Sequence, residues 1–183
     1  MKINAPKLKK LVKQKRATLE QLAAALPKPS TRRKQDEIAL KKVKNWLVGR
    51  NHPAAKSAEI AAIAGVLQVE PKDILRFTGM HRFARSSPRK ARLVADLIRG
   101  KRVDEAQALL QFSPKRAGVM VSKTLKSAIA QAEAADAQYD RLFVAETKVD
   151  DSFQIKRFQP KDRGRAHPII KRTTHITIGV EER

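Results

Sequence analysis

The stretch Phe153-Gln-Ile-Lys-Arg-Phe-Gln-Pro-Lys-Asp-Arg-Gly-Arg-Ala-His-Pro-Ile-Ile-Lys-Arg-Thr-Thr-His175 decides how this chain is built. It carries Lys156, Arg157, Lys161, Arg163, Arg165, Lys171 and Arg172 against a single acid, Asp162, and so many unpaired cations cannot be buried in a core. Turn chemistry gathers at its centre, from Pro160 to Pro168. On either side the hydrophobic period is two. Phe143, Ala145 and Val149 alternate with Glu146 and Lys148, and Ile176, Ile178 and Val180 alternate with His175, Thr177 and Gly179, the spacing of strands with one buried face. A long hairpin is therefore predicted over about 153–175. With arms of roughly ten residues at about 3.3 Å each, its tip stands on the order of 30 Å from the domain. An isolated two-stranded ribbon is marginal in water, so this one needs a partner surface, and phosphate suits its charge. The bland alternative is a solvated loop whose charge serves only solubility. Such a loop has little use for Phe158, Ile169 and Ile170.

Upstream of the strands the period is helical. Ser87-Pro88 pairs an N-cap residue with a proline at the first helical position, where its missing N–H costs nothing. Ala91, Val94, Ala95 and Ile98 then form one apolar stripe, with Arg89 pointing away, Arg92 and Arg99 flanking it, and Gly100 ending it. Val103, Ala106 and Leu110 mark a second, short helix, and Ser113-Pro114 repeats the start signal for a third. In that third helix Ala117, Val121, Leu125, Ala128, Ala132 and Ala135 share a stripe, while Lys115, Arg116, Lys123 and Lys126 lie on the opposite face, toward water or phosphate. Around Phe77 to Met80 an Ala-rich helical region gives way to the extended run His81-Arg-Phe-Ala-Arg-Ser86. A boundary near residue 80 yields two domains, 1–80 and 81–183.

The whole chain holds 183 residues, with 40 Lys and Arg against 18 Asp and Glu, a net charge of +22. Both parts are basic, with 18 basic against 6 acidic residues in 1–80 and 22 against 12 in 81–183. At 42% hydrophobic residues the chain has material for a core. Its charge calls for a polyanion, nucleic acid first and an anionic membrane surface second. No stretch approaches the roughly 18 consecutive apolar residues of a membrane span. There are no cysteines, and His52, His81, His167 and His175 are scattered without metal-ligand spacing. No metal or cofactor site is expected. Paired carboxylates, a glycine-rich phosphate loop and a nucleophile beside a base are all missing, so an enzyme is not indicated.

Ser87-Pro-Arg-Lys-Ala-Arg-Leu-Val-Ala-Asp-Leu-Ile-Arg-Gly100, Lys126-Ser-Ala-Ile-Ala-Gln-Ala-Glu133, Lys156-Arg-Phe-Gln-Pro-Lys-Asp-Arg-Gly-Arg165 and Lys171-Arg-Thr-Thr-His-Ile-Thr177 together closely resemble the large-subunit ribosomal protein twenty-two family. The resemblance covers essentially all of residues 81–183. It implies a small α+β domain with three antiparallel strands packed on helices, seated on large-subunit ribosomal RNA among neighbouring ribosomal proteins. The family's long protruding hairpin threads between RNA segments, and its tip lines the tunnel through which the nascent peptide leaves. Carried over by residue, RNA contacts fall on Lys156, Arg157, Lys161, Arg163, Gly164, Arg165, Lys171, Arg172 and His175 in the hairpin, and on Arg82, Arg85, Arg89, Lys90 and Arg92 on the domain side. The tip departs from the family pattern. His167-Pro168 stand where an acidic and then a basic residue are common, and Asp162 replaces a small residue. Gly164 reads either as a close approach to RNA or a positive φ, or as an ordinary turn glycine. The implied place is a bacterial-type ribosome in the cytoplasm. The Lys-rich opening also suits an organelle transit peptide, but Glu20 and the helical pattern after it read as folded protein.

Residues 1–80 are not explained by that family. Thr18-Leu-Glu-Gln-Leu-Ala-Ala-Ala-Leu26 resembles the second helix of repressor-type helix-turn-helix domains, and Val43-Lys-Asn-Trp-Leu-Val-Gly-Arg-Asn-His-Pro53 resembles the recognition helix and its exit. Ile60 to Leu67 and Val69 to Leu75 complete the pattern, giving an all-α N-terminal domain. The stretch from Pro27 to Lys42, with Lys28, Arg32, Arg33 and Lys34, is about ten residues longer than such motifs have there, and a helix start is expected near Ser30 or Gln35. Trp46 reads as core. Three readings stand for this region: ribosomal RNA or a neighbouring protein as its partner, genuine DNA binding as a regulator, or a structural appendage.

Overall fold

The computed structural model describes residues 2–27 and 35–183. The chain is α+β and divides into two compact units, Met1–Arg76 and Phe77–Arg183. The insertion cations Lys28, Arg32, Arg33 and Lys34, and the expected helix start at Ser30, lie outside the described residues. A helix does begin at Gln35.

The N-terminal unit runs β1 (Lys2–Ile3), α1 (Ala5–Gln14), α2 (Leu19–Ala24), α3 (Gln35–Val48), α4 (Ser57–Leu67) and α5 (Pro71–Ile74). It is helical but not purely so, because β1 pairs with Leu75 and Arg76 at the start of β2 (Leu75–Ala84). Helix α2 starts on a reciprocal cap: Thr18 Oγ1 accepts from the Gln21 N–H at 3.3 Å, and Gln21 Oε1 accepts from the Thr18 N–H at 3.0 Å. Leu8, Leu22, Val43, Trp46, Ile63 and Leu67 form the core. Trp46 is buried, and its Nε1 donates to the Pro53 carbonyl at 2.7 Å, which ties the exit of α3 to the following loop. Glu59 is a buried charge in this unit. Its carboxylate accepts from Lys42 Nζ at 2.7 Å and from the Lys56 N–H at 2.9 Å. Burial pushes this carboxyl up, but the Lys42 hydrogen bond, the Lys56 amide and the two lysine charges outweigh it and hold the group below its ordinary value.

In the C-terminal unit β2 is followed by α6 (Pro88–Ile98), α7 (Val103–Gln111), α8 (Arg116–Glu133), β3 (Leu142–Asp151), β4 (Ile155–Pro160), β5 (Ala166–Lys171) and β6 (Thr174–Glu182). Within this unit the strand order is β2-β6-β3, antiparallel throughout. β6 lies between β2 and β3, and its Ile176, Ile178 and Val180 are fully buried. Against them pack the stripes of α6 (Ala91, Val94, Ala95, Ile98) and α8 (Ala117, Val121, Leu125, Ala128, Ala132), while α7 (Val103, Ala106, Leu110) packs on α6, α8 and β3, each large aliphatic side chain contributing about 1.5–3 kcal/mol.

Phe77 to Met80 lies inside β2, with Phe77 fully buried, and the division into two units falls just before it, between Arg76 and Phe77. Three local expectations are corrected. Helix α8 begins at Arg116 rather than at Ser113-Pro114, because Lys115 keeps an extended backbone (φ −79°, ψ 125°). Ala135 lies beyond the end of that helix. In β3 the pairs Val144↔Val180 and Glu146↔Gly179 leave Ala145 as an extra residue. Leu142, Phe143 and Val144 are all buried before this bulge, and Thr147 and Val149 after it. Unbroken alternation through Phe143 and Ala145 cannot describe such a strand.

Gly79 is where β2 meets α8. A Cβ there would lie 2.2 Å from the Thr124 carbonyl oxygen and 3.0 Å from the Ala128 nitrogen, both backbone atoms. Gly79→Ala is expected to destabilise the chain by about 3 kcal/mol or more in urea unfolding, whereas Met80→Ala at the neighbouring exposed position stays within about 0.5 kcal/mol. The depressed Glu59 carboxyl makes a second prediction. Its stabilisation is present above the ordinary carboxylate pKa and is lost as the pH falls through the lowered folded-state value. Urea titrations followed by Trp46 fluorescence should show the wild type losing about 1–3 kcal/mol on acidification, and Glu59→Gln starting lower and losing less.

Candidate nucleic-acid interface

The hairpin's two arms pair in register from Ile155↔Lys171 to Pro160↔Ala166. The sheet's last pair below them is Asp151↔Thr174, so residues 152–154 on one side face only 172–173 on the other. The joint is pinned by the Ser152 N–H, which donates to the Thr173 carbonyl at 3.1 Å, and by Thr173 Oγ1, which donates to the Phe153 carbonyl. Above it every residue of β4 and β5 is exposed except the half-buried Ile155 and Ile169. Cross-strand partners share a face. One face therefore carries Lys156, Phe158, Pro160, Ala166, Pro168 and Ile170, largely apolar. The other carries Ile155, Arg157, Gln159, His167, Ile169 and Lys171.

At the tip, the Lys161 N–H donates to the Arg165 carbonyl at 2.7 Å and the Arg165 N–H to the Asp162 carbonyl at 3.2 Å. Arg163 (φ 53°, ψ 38°) and Gly164 (φ 70°) both turn through left-handed backbone. A Cβ on Gly164 would meet nothing within 4 Å, so the glycine serves the turn's positive φ rather than close packing within the chain. Asp162 takes part in the turn through its backbone carbonyl. Lys161, Arg163 and Arg165 are left exposed around it.

The domain-side residues separate into two kinds. Arg82, Arg85, Arg89 and Lys90 are exposed at the end of β2 and the start of α6. Arg92 is engaged within the fold: its Nε donates to the Val149 carbonyl at 3.3 Å and its guanidinium meets Asp151 at 3.1 Å. His175 is also engaged. Its Nδ1 accepts from the Phe83 N–H at 3.3 Å, and the two rings meet edge to face at 4.8 Å. Phe83 itself has a φ of 56° at the register shift between β2 and β6. Lys123 and Lys126 line a shallow cavity with Gln107 and Gln111. Lys115 instead joins Arg85, Lys90 and Arg116 around a second cavity, between the starts of α6 and α8. Arg116 was legible in the sequence only as part of a polar helix face. Its meeting with Arg85 and Lys90 is a product of the fold.

Residues 79–181 match the family model for Ribosomal protein L22p/L17e. The chain belongs to this family. It is therefore a ribosomal protein of a structural, non-enzymatic family, placed in the ribosome of a cytoplasm or an organelle. The match runs from Gly79 in β2 through the whole hairpin to Glu181 in β6, and it leaves residues 1–78 and 182–183 outside. Among the described residues no helix is long and apolar enough to cross a membrane.

The ribbon buries little apolar surface against its own domain, so its cross-strand bonds open readily. In the isolated chain the amides of Lys156 to Lys171 are expected to exchange at least about tenfold faster than those of Ile176 and Ile178, and to become protected once RNA is bound. Hydrogen exchange read by mass spectrometry checks both halves of that statement.

Proposed function

We propose that the chain is a structural component of the large ribosomal subunit that binds its ribosomal RNA through the exposed hairpin and the basic end of α6, and so supports subunit assembly. The observation that carries this reading is the ribbon itself: two exposed arms with one largely apolar face, tipped by Lys161, Arg163 and Arg165, on a domain of the L22p/L17e family. Structured RNA is recognised through shape, phosphate and 2′-hydroxyl contacts, for which a basic ribbon needs no base-reading code. Forked Arg163 and Arg165 suit phosphate geometry. In the family such a tip lines the nascent-peptide tunnel, and we assign the same place to residues 161–165, in a bacterial-type ribosome. Arg82, Arg85, Arg89, Lys90, Lys115, Lys123 and Lys126 would face RNA from the domain side, with Lys156, Arg157, Lys171 and Arg172 along the ribbon. Arg92 and His175 contribute by positioning the hairpin root.

The N-terminal unit, residues 1–76, is read as a basic helical extension docking on ribosomal RNA or a neighbouring ribosomal protein. Its α2 and α3 keep the order of a helix-turn-helix, but α3 opens on Asp36 and Glu37. Acids at the end of the helix that would enter the major groove disfavour a DNA-binding regulator.

The chain should cosediment with large subunits in sucrose gradients after a moderate salt wash, and its persistent absence there would end this reading. Arg163→Ala with Arg165→Ala should weaken binding to large-subunit RNA and lower the slope of log affinity against log salt by roughly 1.4 to 1.8, about 0.7 to 0.9 for each phosphate contact removed. An unchanged slope in filter-binding assays would contradict phosphate contact at the tip.

A further inference from the structure

We propose that the cavity between the starts of α6 and α8 seats one unpaired nucleotide of an RNA strand, with its phosphate among Arg85, Lys90, Lys115 and Arg116 and its base over Leu93 and Met120. This deepens the RNA-binding reading above and rests on it. The cavity measures about 520 Å³, within the roughly 300–1,000 Å³ of clefts that hold small ligands. Four cations line it and no acid does. Among the described residues none of the four forms an ion pair with a carboxylate. Like charges gathered without a counter-charge repel one another, and an anion from outside removes that cost.

Other polar groups around the rim are free to help. Ser87 occupies the N-cap of α6 but its hydroxyl caps nothing. Lys115 holds the same position on α8 with a side chain that has no acceptor. First-turn N–H groups of both helices thus lack a side-chain cap and add a fixed positive field to the four cations.

The floor separates a nucleotide from a bare phosphate. Leu93 is 57% exposed, Met120 is half-buried and Ala117 is buried beside them. A phosphate ion has no use for an apolar floor, whereas a base splayed out of its strand replaces the stacking of its neighbours by lying on one. Charge at the rim and apolar surface beneath are the two ends of one nucleotide. An RNA strand and a free mononucleotide share this chemistry, so the test separates them.

The full chain, labelled at backbone amides and at Leu and Met methyls, is titrated in separate NMR experiments with oligouridylate, uridine monophosphate and inorganic phosphate. Oligouridylate should shift the amides of Ser87, Lys90 and Ala117 together with the methyls of Leu93 and Met120. Uridine monophosphate should reach the same signals only at higher concentration, and inorganic phosphate should move amides without the methyls. Lys90→Ala with Arg116→Ala should weaken oligouridylate binding by about tenfold or more, while Lys148→Ala, which does not line the cavity and pairs with Asp150, changes little. Leu93→Ala, at an exposed position, should abolish the Met120 methyl shift while leaving the fold intact.

Amide shifts without methyl shifts under oligouridylate would reduce the site to an anion cluster and overturn the proposal, as would unchanged affinity in the double variant. Mononucleotide binding as tight as that of the oligomer would overturn the RNA strand as occupant. If oligouridylate moves only hairpin signals, the cavity proposal falls and RNA binding stands. Failure of the chain to bind any RNA would sink the underlying reading instead.

Discussion

Antiparallel pairing of β6 with a strand on each side is the constraint from which the rest of the C-terminal unit follows. Phe77 to Ala84 bond to one edge of β6 and Leu142 to Asp151 to the other, so its Ile176, Ile178 and Val180 become the platform that α6 and α8 cover. Gly79 lets α8 approach β2 to a distance no side chain allows. The hairpin depends on the same pairing, since its arms leave the sheet directly from the ends of β3 and β6. A ribbon that cannot hold itself in water is thus aimed by a sheet that can. Thr173, Ser152, Arg92 and His175 tie down the joint between the two.

Charge is distributed according to what each element can bury. The inward stripes of the helices are Ala, Val, Leu and Ile, and the cations are pushed to helix starts, to the ribbon and to its tip. Some are neutralised internally: Lys42 by Glu59, Arg92 by Asp151, Arg99 by Asp96. Among the described residues the tip cations Lys161, Arg163 and Arg165 and the four around the cavity between α6 and α8 receive no such compensation. A ribosomal protein meets the opposite charge in assembly rather than in itself.

The N-terminal unit follows a different logic. It has its own core around Trp46 and Leu67, its own capped helices and its own buried ion pair at Glu59. Its helix α3 opens on the acids Asp36 and Glu37.

Much of this was legible in the amino-acid string because local periods report burial. Ala91, Val94, Ala95 and Ile98 had to share a helix face, Ile176, Ile178 and Val180 a strand face, and seven cations between two strands had to stay outside. Three things were not legible. The bulge at Ala145 leaves no mark on composition, and it shifts the register of β3 against β6. Lys115 reads as part of the polar face of the third helix, although its extended backbone moves the start of α8 to Arg116. Arg92 and His175 look like any other basic residues until β3 and β2 bring Asp151 and Phe83 to them. Sequence by itself determined the buried stripes of α6, α8 and β6 and the exclusion of the hairpin's cations, since each is a property of neighbours within a few positions. Only the tertiary structure decided which excluded charges meet, because Arg85 and Arg116 are brought to one cavity by the packing of α6 and α8, and no local pattern encodes that distance.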